Sequence, residues 1–306
     1  MPDPSLAVTL GALTLKNPVL PASGTYGYGK EFLPFCPPDL WGAVVTKGVS
    51  PEPWPGNAMP RICETPGGML NAIGLQNPGV EQFTREALPF LRPYATPIIV
   101  NIAGKTIEEY VAVVERLNEY PEISAYELNI SCPNIKHGGI AFGTDPRQAA
   151  AVTAAVRAAT RKMLIVKLSP NVTDITVIAQ AVEAAGADAL SLINTLLGMA
   201  IDIKQRRPVL ANLLGGLSGP AIKPVALRMV WQTYSKVAIP IIGMGGILSA
   251  TDALEFIMAG ASAVAIGTGL FVDPTTPGQV IDGLQAFMVD DGLRSLEEIR
   301  GIAHGG

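Results

Sequence analysis

Eight short apolar runs recur along this chain, each with a polar or glycine residue at or next to its end and separated from the next by a longer stretch, and few folds accommodate such a series. The runs are Val19–Ala22, Ala43–Thr46, Pro97–Asn101, Ala125–Ile130, Leu164–Leu168, Ala189–Ile193, Pro240–Met244 and Ala263–Gly267. Between them lie Thr106–Glu119, Asp145–Arg161, Val172–Ala185, Ala221–Ser235, Ala250–Ala259 and Gly278–Val289, with apolar residues at helical spacing. Strand and helix in alternation imply a parallel sheet. An open doubly wound sheet would use the same alternation, but its evenness through eight units favours an α/β (β/α)8 TIM barrel. Barrels of this kind routinely reach 306 residues as one domain, so residues 1–306 are expected to form a single domain. With 48% hydrophobic and only 16% charged residues, against about 25% charged in ordinary domains, the chain has the material for a well-filled core.

Long loops are expected after the second, fourth and sixth strands. Gly48–Gly79 and Thr195–Gly219 are too long for simple turns, and loops of this length are usually functional. The Ile135–Gly143 segment forms the third. The last residues, His304 to Gly306, are expected to fray. A net charge of −4 offers no basic footprint for nucleic acid or an anionic membrane surface. Cys36, Cys63 and Cys132 are odd in number and widely spaced, which argues against a disulfide framework or a metal cluster and fits a reducing cytoplasm. The first ten residues lack the basic start of a signal peptide, and no apolar run reaches the roughly 20 residues that span a bilayer.

The strand ends carry the chemistry. They supply Ser23, Lys47, Asn101, Asn129, Lys167, Asn194, the pair Gly245 and Gly246, and the pair Gly267 and Thr268. In a barrel these converge on the C-terminal mouth, where barrel enzymes keep catalysis. Singly each reads as a capping or loop residue; eight together point to a site. Lys47 and Lys167 would lie inside that mouth, and inward lysines need an electronegative partner. Glu127, two residues before Asn129, is the competing ion-pair partner; otherwise a bound anion or electron-rich ring is implied. The glycines near 245 and 267 would form turns with exposed N–H groups ahead of the caps Ser249 or Thr251, in the loops where barrels bind phosphate. Only His137 and His304 are present, which removes Ser-His-Asp and His-rich metal chemistry. Cys132, between Asn129 and Asn134 just past the fourth strand, reads either as a small buried residue before a proline turn or as a proton-transfer group. Cys36 and Cys63 lack that setting.

The residues Asn17-Pro-Val-Leu-Pro-Ala-Ser-Gly24, Thr46-Lys-Gly-Val49, Asn71-Ala-Ile-Gly-Leu-Gln-Asn-Pro-Gly79, Asn129-Ile-Ser-Cys-Pro-Asn134, Val166-Lys-Leu-Ser-Pro170, Ile193-Asn-Thr195 and Gly243-Met-Gly-Gly-Ile247 cover nearly the whole chain. Together they resemble the dihydroorotate dehydrogenases. The cysteine resembles that of the soluble class 1 enzymes, since the membrane-bound class uses serine. Pro21-Ala-Ser-Gly-Thr-Tyr-Gly-Tyr-Gly29 and Ala141-Phe-Gly-Thr-Asp145 look like the NAD-dependent catalytic subunit, type 1B. The resemblance implies an FMN-bound barrel that oxidises dihydroorotate to orotate in pyrimidine biosynthesis. Cys132 would take the proton from substrate C5 while a hydride leaves C6 for flavin N5. Lys47 would sit by both flavin and substrate, with Lys167 assisting. Asn71, Ala72, Ile73, Gly74, Leu75, Asn129, Asn134, Asn194 and Thr195 would hold the substrate. Ser23, Gly48, Asn101, Asn129, Ile193, Gly219, Gly245, Gly246, Gly267 and Thr268 would hold FMN, the last four mainly at its phosphate.

Type 1B enzymes resemble heterotetramers, a catalytic homodimer joined to two electron-transfer subunits that carry FAD and a [2Fe-2S] cluster. This chain has no cysteine set for such a cluster, which fits a partner subunit and equally fits the fumarate-reducing type 1A homodimer. The same residues would also serve a dihydropyrimidine dehydrogenase-like FMN barrel, or a barrel that merely binds a phosphorylated ligand. A tRNA-reducing flavin barrel would call for a basic surface that this chain lacks.

Overall fold

The computed structural model describes residues 4–131, 133–134 and 140–305. All eight expected strands form, as β1 (Val19–Pro21), β2 (Val44–Val45), β3 (Ile98–Ile102), β4 (Ile123–Asn129), β5 (Met163–Lys167), β6 (Ala189–Leu192), β7 (Ile241–Met244) and β8 (Ala263–Ile266). They make one sheet in which chain neighbours are sheet neighbours and β8 returns to pair with β1. Seven of the contacts are parallel ladders. The remaining seam, between β1 and β2, is bridged by the Gly42 N–H, which donates to the Val19 carbonyl at 3.0 Å. Gly42 is required there by space: a Cβ would lie 2.0 Å from the Asn17 carbonyl oxygen.

Side chains alternate across each strand, so one set fills the barrel and the other meets the helices. Leu20, Val45, Ile99, Ala125, Ile165, Ala189, Ile242 and Ala265 belong to the inner core. An N-terminal hairpin, Val8–Leu10 with Leu13–Leu15, adds Val8, Leu10 and Leu15 to the same core. The outward set, such as Tyr126 and Leu128 of β4, packs in the larger core against the surrounding helices.

Six helices fall where the apolar spacing places them: α1 (Ile107–Leu117), α2 (Pro146–Ala159), α3 (Ile175–Ala184), α4 (Lys223–Tyr234), α5 (Ala250–Met258) and α6 (Thr276–Asp290). Their starts are set by capping. Thr106 accepts from the Glu109 N–H, and Asp145 accepts from the N–H groups of Arg147 and Gln148 ahead of Pro146. Asp174 caps α3, which is why that helix begins three residues later than its apolar spacing suggests. Ser249 and Asp252 form a reciprocal capping box on α5. No helix among the described residues is long and apolar enough to cross a membrane.

Three features depart from expectation. The long loops after β2 and β6 are joined to each other: Ile62–Thr65, Gly68–Asn71, Gly215–Ser218 and Leu196–Gly198 form a four-stranded antiparallel sheet, with Leu70 opposite Leu217. A helical segment from Val80 to Leu91, widened over Phe83–Ala87, lies where Pro89 interrupts the apolar period. The chain end is tied down rather than frayed. His304 stacks on Trp231 with centroids 4.6 Å apart and planes 4° from parallel, and its Nε2 lies 3.1 Å from the Ala259 carbonyl.

These contacts make two glycines respond oppositely to the same change. Gly42→Ala should lower stability in urea denaturation by about 3 kcal/mol, because the added methyl displaces backbone. Gly278→Ala, in open space on α6, should raise it by about 0.5 kcal/mol.

Candidate active site

The carboxyl ends of the eight strands open into one cavity of about 970 Å³. Every strand end contributes a wall: Ser23, Lys47, Asn101, Asn129, Lys167, Asn194, Gly245 with Gly246, and Gly267 with Thr268 all line it. Gly48, Ile193 and Gly219 lie beside them, and the antiparallel sheet brings Asn71, Ala72, Ile73, Gly74, Leu75 and Thr195 over the same space. Cys132 and His137 lie outside the described residues, and for Asn134 only the backbone is described, paired with Ile140.

The cavity is electropositive. Lys47, Lys167, Arg61 and Lys105 line it, and no carboxylate is among the described residues that do. Burial, together with the Arg61 charge, pulls the Lys47 ammonium below the ordinary lysine range; Glu31 opposes this more weakly. A cation held in this state gains from any anion placed beside it. Lys167 is 5% exposed, and its Nζ donates to Ser23 Oγ at 3.0 Å. Among the described residues Glu127 forms no ion pair with either lysine: its two oxygens accept from Asn101 Nδ2 at 2.6 Å and from Ser191 Oγ at 2.7 Å. The lysines are therefore left to the cavity.

The amides are oriented by their neighbours. Asn129 Oδ1 accepts from the Ser131 N–H at 3.2 Å, which turns its amide hydrogens away from that turn. Asn194 Nδ2 donates to Ser131 Oγ at 2.8 Å, and Asn194 Oδ1 accepts from the Thr195 N–H at 2.8 Å. At the opposite wall Gly245 and Gly246 have φ of +135° and +74°, and a Cβ on Gly246 would lie 2.8 Å from the Gly219 carbonyl oxygen. Thr268 Oγ1 donates to Ser218 Oγ at 2.8 Å beside them. This is a backbone-lined recess of the kind that takes a phosphate.

Sequence reasoning passes over several residues of the wall. Lys105, whose Nζ lies 4.7 Å from the Trp54 ring centroid, closes the Asn101-Ile-Ala-Gly-Lys105 run, and its place just past a strand end is the signal that marks it. Arg61, which donates to Gln76 Oε1 at 2.5 Å, reaches the cavity only because the loop after β2 folds into a sheet. Of the thiols that are described, Cys36 is buried and pushed up to about 11 by that burial, and Cys63 Sγ lies 3.2 Å from the Glu64 carbonyl; neither lines the cavity.

The chain is similar to known proteins over nearly its whole length. Residues 5–288 match the family model described as dihydroorotate dehydrogenase. The chain is 58% identical over 302 residues to the dihydroorotate dehydrogenase B (NAD(+)) catalytic subunit of Trichlorobacter lovleyi, covering 99% of each chain. It is 59% identical to the subunit of the same name from Pelobacter propionicus, covering 97% of this chain and 98% of that one. Among solved structures, the dihydroorotate dehydrogenase of Eimeria tenella in complex with ferulenol shares the fold, with a TM-score of 0.82 at 24% identity over 99% of this chain and 90% of that one. With a family match over most of its length and relatives this similar over nearly the whole chain, the chain belongs to the dihydroorotate dehydrogenase family.

Proposed function

We propose that this chain is the catalytic subunit of an NAD-linked dihydroorotate dehydrogenase, one FMN-binding domain that oxidises (S)-dihydroorotate to orotate in pyrimidine biosynthesis. The observation that carries the proposal is the convergence of eight strand ends on a cavity with four cations and no described carboxylate in its wall. Its volume, at the upper end of the usual ligand range, leaves room for a cofactor ring with a substrate ring against it. The residues present fit FMN: the glycine recess at 245–246 with Thr268 suits its phosphate, and the half-buried Lys47 and buried Lys167 suit its electron-rich ring. When bound, FMN supplies the hydride acceptor.

The chain's own residues then divide the work. Cys132 takes the proton from substrate C5. Lys47 would stabilise negative charge on the bound ring system, Lys167 would support it from its hydrogen bond with Ser23, and Gly48, Ile193 and Gly219, which line the cavity, would help to hold the cofactor. Asn71 through Leu75, Asn129, Asn134, Asn194 and Thr195 hold the planar substrate and its carboxylate. Electrons leave through a separate electron-transfer subunit carrying FAD and a [2Fe-2S] cluster, in a cytoplasmic heterotetramer built on a catalytic homodimer. The names of the relatives, which specify a catalytic subunit and NAD(+), support that arrangement.

Dihydroorotate should bleach the flavin of the purified chain anaerobically while dihydrouracil leaves it oxidised; the reverse pattern sinks the substrate assignment. In stopped-flow reduction, Cys132→Ser should be slower by roughly 10²- to 10⁴-fold with FMN still bound, the range expected for loss of a general base; unchanged turnover would leave the cysteine a structural residue. Lys47→Met should stabilise the ligand-free chain by about 1 kcal/mol, as removal of a half-buried charge does, and slow flavin reduction at the same time. The lowered ammonium fixes the pH dependence of this gain. The unfolded chain holds the Lys47 proton more tightly, so the gain is largest at neutral pH and shrinks as pH rises towards the ordinary lysine value of 10.5. Co-purification from the native source with a yellow-brown FAD and iron–sulfur chain and NAD-dependent turnover would support the heterotetramer, whereas a lone dimer that reduces fumarate overturns it.

A further inference from the structure

Among the described residues Glu127 is the only carboxylate that is fully buried, at 1% exposure, and it lies inside the barrel without reaching the cavity wall. An acid there is costly compared with the aliphatic residues that fill the layer below. Glu127 sits in register with Asn101 on β3 and Ile165 on β5. Its Oε1 accepts from Asn101 Nδ2 at 2.6 Å, and its Oε2 accepts from Ser191 Oγ at 2.7 Å, so both oxygens are engaged, one from the adjacent strand β3 and one from β6, two strands away.

That geometry has a definite chemical result. A side-chain amide offers donors at one end and an acceptor at the other, and a carboxylate accepts only. With Glu127 beside it, the Asn101 amide has one stable orientation, NH₂ inward to Glu127 and Oδ1 outward. The Oδ1 lies 3.1 Å from where a Cβ on Gly48 would stand, and both residues line the cavity. An apolar residue at 127 would leave the amide free to present either end.

We propose that Glu127 is a positioning residue: it locks the Asn101 amide so that a carbonyl oxygen faces the cavity and selects a ligand ring that presents an N–H there. The inference rests on FMN as the occupant. The oxidised isoalloxazine has a single ring N–H, at N3, so that is the group the locked oxygen accepts from. Ser191 is the second anchor, holding the carboxylate in the rotamer that reaches Asn101.

The test is reconstitution of the full-length chain with ¹⁵N-labelled FMN, comparing wild type with Glu127→Leu, whose side chain neither donates nor accepts and so releases the lock at Asn101. In the wild type the N3–H resonance should be protected from solvent exchange. In Glu127→Leu that protection should be lost and the FMN Kd should rise about tenfold, the scale of one charge-assisted hydrogen-bond network. The KM for dihydroorotate at saturating FMN should stay within twofold. A variant with FMN affinity within twofold of wild type and an equally protected N3–H overturns the role of Glu127 and leaves the cofactor assignment standing. A wild-type chain that takes up no FMN overturns both. If Glu127→Leu fails to fold, Ser191→Ala should still weaken FMN about threefold with partial loss of N3–H protection, and parity with wild type there overturns the proposal.

Discussion

A parallel sheet has two edges, and each is a row of backbone groups that must find partners. In this chain everything depends on how those edges are brought together. Seven ladders curl the sheet until β1 and β2 meet, and the last gap is narrow enough that only a residue without a side chain fits between Val19 and Asn17. Once that seam is drawn shut, the alternation of each strand sorts side chains into an inner column and an outer shell. The carboxyl ends of all eight strands are then forced to face one another.

The inner column changes character along its length. At its lower end it is aliphatic and includes side chains of the N-terminal hairpin. Near the top Glu127, Ser191 and Asn101 replace aliphatic side chains, and above them the lysines and asparagines look into the cavity. Glu127 makes its hydrogen bonds to Asn101 and Ser191 and forms no ion pair with Lys47 or Lys167 among the described residues, so the two ammonium groups keep their place in the cavity wall.

Much of this is legible in the sequence, for identifiable reasons. Strands with β-branched runs and helices with a 3.6-residue period leave local signatures, so β3, β5 and α1 can be placed within a few residues. Strand-end residues such as Asn101 and Lys167 need only the barrel topology to be brought to one site. What escapes depends on partners distant along the chain. Gly68–Asn71 and Gly215–Ser218 are short and glycine-rich, with no strand pattern of their own, and they become strands only against each other. Arg61 is carried into the wall by that pairing, so no local pattern announces it. The inward lysines suggest Glu127 as a partner by proximity in sequence alone; the barrel curvature instead aims the carboxylate at Asn101 and Ser191. His304 breaks the general rule that chain ends fray, because a stacked tryptophan outweighs it.

The antiparallel sheet over the mouth also bears on the order in which the molecule can assemble. Its ladder joins segments such as Asn71 and Gly216, 145 residues apart in the chain, and neither segment has a neighbouring barrel strand to nucleate it. Contacts of such long range carry a loop-closure cost, because the intervening chain must be ordered before they repay the entropy of bringing them together. Here the intervening chain includes four of the barrel strands. The roof over the cavity therefore depends on an ordered barrel beneath it, and without that roof the lysines and glycines of the strand ends would face open water with no enclosed site.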